Sequence, residues 1–146
     1  MNYDSPDERD RAGMLRAKKM HDQSMQKYGW YAHYIFDDET TPTGTNVHTH
    51  GFEKTWKHPD IQIVVPMPQN VVHGILWTVA DHITAGVKYE PGRRYAEILK
   101  DYDVMFAWAH ENDRRVLRMI IPDKNNHLEK GLIGEPYDKQ WEGTEE

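Results

Sequence analysis

The segment Asn46-Val47-His48-Thr49-His50-Gly51-Phe52, followed by His58-Pro59-Asp60, places three histidines and an aspartate within thirteen residues. On an extended chain, side chains alternate between faces, so His48 and His50 point the same way. A His-x-His pair with a third histidine and a carboxylate close behind matches an open metal centre. Imidazole suits zinc, iron, copper and nickel. In this reading His48, His50 and His58 ligate a divalent transition metal, with Asp60 as a further ligand or as a partner to one. His33 joins them only in some strand registers. If Tyr34 pairs with His48, His33 faces away; a slip of one residue brings it onto the histidine face. The same residues also fit a polar, half-exposed strand with no metal, in which His58 ties down its loop through its ring nitrogens.

Other catalytic templates find no support. There is no glycine-rich phosphate loop and no His-Glu-x-x-His. Gly-x-Ser-x-Gly is missing, and the only serines, Ser5 and Ser24, fall in the first helical stretch. Cysteine is absent, so disulfides, thiolate catalysis and Cys-based zinc sites are excluded. Acidic runs such as Asp37-Asp38-Glu39 read as solvated loop. No catalytic residue is assigned.

The elements that must hold the histidines follow from pattern. Ser5-Pro6-Asp7-Glu8 has the form of a capping box, and helix formers continue to Tyr28, where Gly29 closes the turn. Its apolar content (Met14, Leu15, Met20, Met25) is a narrow seam, suited to the surface, to the body or to another subunit. Trp30 to Phe36 and Thr45 to Phe52 read as strands, the first rich in aromatic rings. Glu53 to Lys57 has room for one helical turn. Ile61 to Val65, apolar but for Gln62, reads as a strand buried on both faces. From Gln69 to Ala85, Val72, Ile75, Leu76, Val79, Ala80 and Ile83 follow helical spacing, with Gly86 as the stop. Gly74 inside this helix suggests close packing on a sheet. His73, Trp77 and Asp81 form a mixed stripe beside the apolar face, suited to helix-sheet or subunit packing with a hydrogen bond to the Trp77 indole, or alternatively to a pocket wall. Tyr95 to Leu99 is ambiguous between strand and helical turn. Val104 to His110 and Val116 to Ile121 form an antiparallel hairpin across Glu111-Asn112-Asp113.

The sum is an α+β fold: a mainly antiparallel sheet of about five strands, the 69–85 helix on one face, and an additional helix over 5–28. The 146 residues are expected to make a single domain, with 124–146 as a loop-rich acidic segment loosely held at its end. Net charge is 18 − 24 = −6. Residues 1–28 carry six basic and five acidic groups, whereas 123–146 carry three and seven. An acidic chain repels phosphate backbones, so nucleic acid is not expected as a partner. No apolar run is long enough for a membrane span and no signal sequence begins the chain, so a cytoplasmic location is expected.

The order of motifs resembles a bacterial family of unknown function, the one numbered 4262. The residues that carry the resemblance are Thr49-His50-Gly51-Phe52, His58-Pro59-Asp60, the helix from Gln69, then Gly86, Pro91-Gly92, and Val116 through Pro122-Asp123. It covers roughly residues 45–123. The resemblance implies an aromatic residue at position 48 and a variable one at position 50; both are histidine here. It implies a fold and no reaction. Two functions therefore stand at this level. The leading one is a non-catalytic module that binds a protein partner or itself as a homodimer. The alternative is a metal-binding or metal-dependent protein centred on His48, His50 and His58.

Overall fold

A computed structural model describes residues 6–145, with side chains from residue 11 onward. The expected cap at Ser5 lies outside the described residues. A six-stranded mixed sheet runs in the order β1-β2-β3-β6-β5-β4, with β1 Tyr31–Ile35, β2 Asn46–His50, β3 Ile61–Ile63, β4 Tyr95–Leu99, β5 Tyr102–Glu111 and β6 Arg114–Ile120. All neighbours are antiparallel except β3 and β6, which run parallel. The class is α+β, as the patterning predicts, with one strand more than the expected five. The ambiguous Tyr95–Leu99 segment is that extra strand. Among the described residues, no helix is long and apolar enough to cross a membrane.

Helix α3 (Gln69–Thr84) covers one face, burying the six residues its periodicity singles out. They pack on Val47, Ile61, Ile63, Leu117, Met119 and Phe106, the residues that alternation sends to that side. Gly74 does not serve this packing: a Cβ there would meet nothing within 4 Å. It sits on the solvent side of α3, so close approach to the sheet is not what it provides.

The opposite face is shared. Its β5–β6 half is covered by the C-terminal segment, where Leu128 and Ile133 pack on Ala107 and Ile120. As far as Glu145, this segment is not loosely held. The Glu145 amide donates to the Trp108 carbonyl at 2.8 Å, and the Trp141 indole to the Leu128 carbonyl at 2.8 Å. The Gln140 side chain, fully buried, bonds both the amide and the carbonyl of Ile121 at 2.8 Å. An acidic, loop-like composition conceals this because the anchoring atoms are largely backbone. The other half of the face, over β1 and β2, carries the histidines.

Helix α1 (Pro6–Tyr28) reaches the body near its C-terminal end, at the edge strand β1. Gly29 (φ +82°) turns the chain from α1 into β1. A second short helix, α2 (Phe52–Trp56), begins where a continued strand is expected. Gly51 explains the early stop. Its φ is +106°, and a Cβ there would lie 2.5 Å from the Gly29 carbonyl oxygen and 2.9 Å from the Trp30 Cα. Only glycine fits this bend.

The two glycines predict opposite effects in urea denaturation. Gly74→Ala is expected to raise stability by about 1 kcal/mol, since an open helical site gains alanine's propensity. Gly51→Ala is expected to lower it by roughly 2 kcal/mol or more, through both backbone strain and overlap.

Candidate metal centre

Strand register builds the site. His33 pairs with His48 and Tyr31 with His50, so the slipped register holds and His33 lies on the histidine face. That face of β1 and β2 therefore presents Tyr31, His33, Asn46, His48 and His50 together. Ring centroids are 5.2 Å apart for His33 and His48, 5.0 Å for His48 and His50, and 6.5 Å for His33 and His50. One ring nitrogen from each of the three lies within 4.8 Å of the others. His48 is buried, His50 half-buried and His33 exposed, so the cluster opens toward solvent along the edge strand. His21 of α1 stacks on Tyr31 at 4.1 Å, and Tyr31 stacks in turn on His50 at 4.9 Å.

A row of polar side chains continues from His48 across the sheet, because His48 pairs with Gln62 and Gln62 with Arg118. These hydrogen bonds have a direction that chemistry fixes. A guanidinium only donates. Arg118 Nε donates to Gln62 Oε1 at 2.9 Å, which turns the Gln62 amide nitrogen toward Asn46. Gln62 Nε2 donates to Asn46 Oδ1 at 3.1 Å. That oxygen lies 3.0 Å from His48 Nδ1, so Nδ1 must carry the proton. Asn46 Nδ2 donates to Asp38 Oδ2 at 2.8 Å and completes the row. His48 Nε2 is then left with its lone pair. It faces Glu111 Oε1 at 3.5 Å, itself held by Arg114 Nε at 2.9 Å. Two acceptors facing each other in a buried site favour a cation between them.

The electrostatics keep His48 and His50 neutral. Burial pushes His48 down to about 3, assisted by His50, Arg114 and His33. Burial likewise pushes His50 down to about 4, with Arg114, His33 and His21 adding to it. His21 is lowered as well, by burial and by His33. Neutral imidazole is the form that binds a metal.

His58 stands outside this cluster. Its Nδ1 lies 2.8 Å from the Pro59 carbonyl, and its Nε2 accepts from the Tyr89 amide at 3.0 Å. Both nitrogens are engaged, and the ring sits among Phe52 and Tyr89 of the α3-side core. Asp60 is committed too. Its Oδ1 accepts from Thr49 Oγ1 at 2.7 Å and from the Phe52 amide at 3.1 Å, while Oδ2 pairs with Arg114 at 3.1 Å. His58 and Asp60 brace the turn that follows His48 and His50, and the third converging ring is His33. Sequence reasoning reaches His33 only as one of two registers and misses Asn46, Gln62, Glu111 and Arg118. The signal for the last set lies in polar residues interrupting apolar strands: Gln62 in Ile61–Ile63 and Arg118 in Val116–Ile121.

The family described as Domain of unknown function (DUF4262) matches residues 24–119. The match takes in the last turn of α1, β1 and the whole histidine face, and extends further toward the N-terminus than the motif resemblance. Searches of curated proteins and of solved structures return no match.

The depressed histidines predict acid sensitivity of the metal-free protein. An unfolded histidine takes up its proton near pH 6.5, whereas folded His48 and His50 do so only at about 3 and about 4. Between these values the unfolded chain binds more protons, so stability falls as pH drops from 6.5 and levels off below the folded values. Urea midpoints from pH 7.5 to 3.5 check this. His48→Asn, which keeps a donor near the Nδ1 position, is expected to flatten the slope; an unaltered slope would remove His48 as its source.

Proposed function

The chain belongs to the DUF4262 family, and we propose that it binds one divalent first-row transition metal through His33, His48 and His50. The observation that carries this reading is the convergence of three ring nitrogens within 4.8 Å. The proton on His48 Nδ1 supports it, because it leaves Nε2 with a lone pair to offer. Zinc sits 2.0–2.1 Å from imidazole nitrogen, so tetrahedral ligands stand about 3.4 Å apart. Small ring rotations close the remaining distance. Three histidine ligands leave at least one position for water or substrate, the arrangement of reactive zinc sites. The exposed side at His33 gives that position access to solvent. Asn46 and Gln62 act as the hydrogen-bonded support that orients a ligand and raises its basicity.

A second reading, self-association, has an observation of its own. Met14, Leu15 and Met20 of α1 are 70%, 68% and 65% exposed, on a helix that meets the edge strand β1 near its C-terminal end. A second copy of the chain is the occupant this reading names.

Untagged, metal-stripped protein is expected to take up one equivalent of Zn2+ or Co2+ in calorimetric titration. His48→Ala or His50→Ala is expected to abolish uptake, while His58→Ala retains the stoichiometry at lower thermal stability. Asn46→Ala is expected to weaken affinity about 10- to 100-fold by releasing the His48 ring. No uptake by the wild type, or uptake unchanged in His48→Ala, would overturn the metal reading. For self-association, sedimentation is expected to show a dimer that Leu15→Glu with Met20→Glu converts to monomer; a wild-type monomer at all concentrations would remove it.

A further inference from the structure

A cleft of about 440 Å³ lies between α1, β1 and α3. It is made largely of rings: Tyr28, Trp30, Tyr31, Tyr34, His73 and Trp77 all line it. In a chain with 29% charged residues, none of its lining side chains is Asp, Glu, Lys or Arg. The size falls within the range of small-molecule sites, and the lining disfavours a charged occupant. The rings are set edge to face, Tyr28 on Trp77 at 4.9 Å and Trp30 on Trp77 at 5.1 Å. Such a cage offers ring faces and edges to a flat guest.

One polar group in the cleft has a fixed direction. The Trp77 indole, which only donates, gives its proton to His73 Nε2 at 3.0 Å. The His73 proton is therefore on Nδ1, 2.8 Å from the Tyr34 hydroxyl oxygen. Tyr34 accepts there, and its own O–H remains to be donated. A phenol keeps this proton at neutral pH. The hydroxyl is a donor whose acceptor position is already taken, at the wall of an uncharged aromatic cleft.

We propose that this cleft binds a neutral, planar aromatic small molecule bearing a hydrogen-bond acceptor, which accepts from the Tyr34 hydroxyl and packs against Tyr28, Trp30 and Trp77. The proposal stands apart from the metal reading. The metal would be held on the histidine face, whereas Trp30, Tyr34, His73 and Trp77 work on the other side of β1. Tyr31 and His21 line the cleft and also stack toward His50, so the two sites are neighbours.

The test uses full-length protein in EDTA at pH 7.5 and follows the tryptophan indole N–H signals by NMR. Three probes of one shape are titrated: isoquinoline, naphthalene and 2-naphthoate. Isoquinoline, neutral with an acceptor nitrogen, is expected to shift the Trp77 and Trp30 signals saturably. Naphthalene, lacking the acceptor, is expected to bind roughly fivefold more weakly, and 2-naphthoate more weakly still. Tyr34→Phe is expected to bring isoquinoline down to the naphthalene level and leave naphthalene unchanged. Absence of saturable shifts, equal affinity for all three probes, or a preference for isoquinoline that persists in Tyr34→Phe would overturn the proposal. If Tyr34→Phe does not fold, the order of the three probes on the wild type decides. Because EDTA removes metal, failure here leaves the metal reading standing, and the reverse holds as well.

Discussion

Arg118 is the constraint on which the rest of the histidine face depends. It is 3% exposed, and its hydrogen bonds go to neutral acceptors: Gln62 Oε1 and the carbonyls of Gln140 and Glu142. Burial lowers its pKa to about 10, which still leaves it charged at neutral pH. A buried cation is tolerated only when its donors are satisfied, so the groups around it have little freedom. On one side it fixes the amide orientations of Gln62 and Asn46 and hence the proton of His48. On the other it holds the C-terminal segment against the sheet. One guanidinium thereby links the covered half of this face to the half that carries the histidines.

The edge strand β1 divides the chemistry. Alternation sends Tyr31 and His33 to the histidine side and Trp30, Ala32 and Tyr34 to the aromatic cleft. Helix α1 crosses this edge, placing His21 on Tyr31 and Tyr28 on Trp77. The turn at Gly29 and the bend at Gly51 meet beneath it, where the Gly29 carbonyl occupies the space a side chain at 51 would need. Both candidate sites thus rest on the same strand and the same two glycines.

The amphipathic α3, the β5–β6 hairpin and the common face of His48 and His50 are all legible in the sequence, because each follows from a local period. The partner of His48 is not. Whether His33 faces it turns on a one-residue register, which local pattern leaves open and the Gly51 bend and neighbouring strands decide. His58 illustrates the opposite difficulty. Its spacing to His50 suits a ligand, yet a backbone amide thirty-one residues away in sequence, that of Tyr89, claims its free nitrogen. The parallel pairing of β3 with β6 and the anchoring of the tail by Arg118 are likewise long-range and made through backbone or isolated polar atoms. Composition carries no trace of either.

The central claim is that Arg118, acting through Gln62 and Asn46, holds His48 in one tautomer, with the proton on Nδ1 and the lone pair on Nε2. Long-range proton–nitrogen NMR of the histidine rings in metal-free protein at neutral pH reads this directly. The account predicts a protonated Nδ1 and an unprotonated Nε2 for His48, with the Nε2 signal moving when Zn2+ is added. A protonated Nε2, or an Nε2 signal indifferent to the metal, would contradict it.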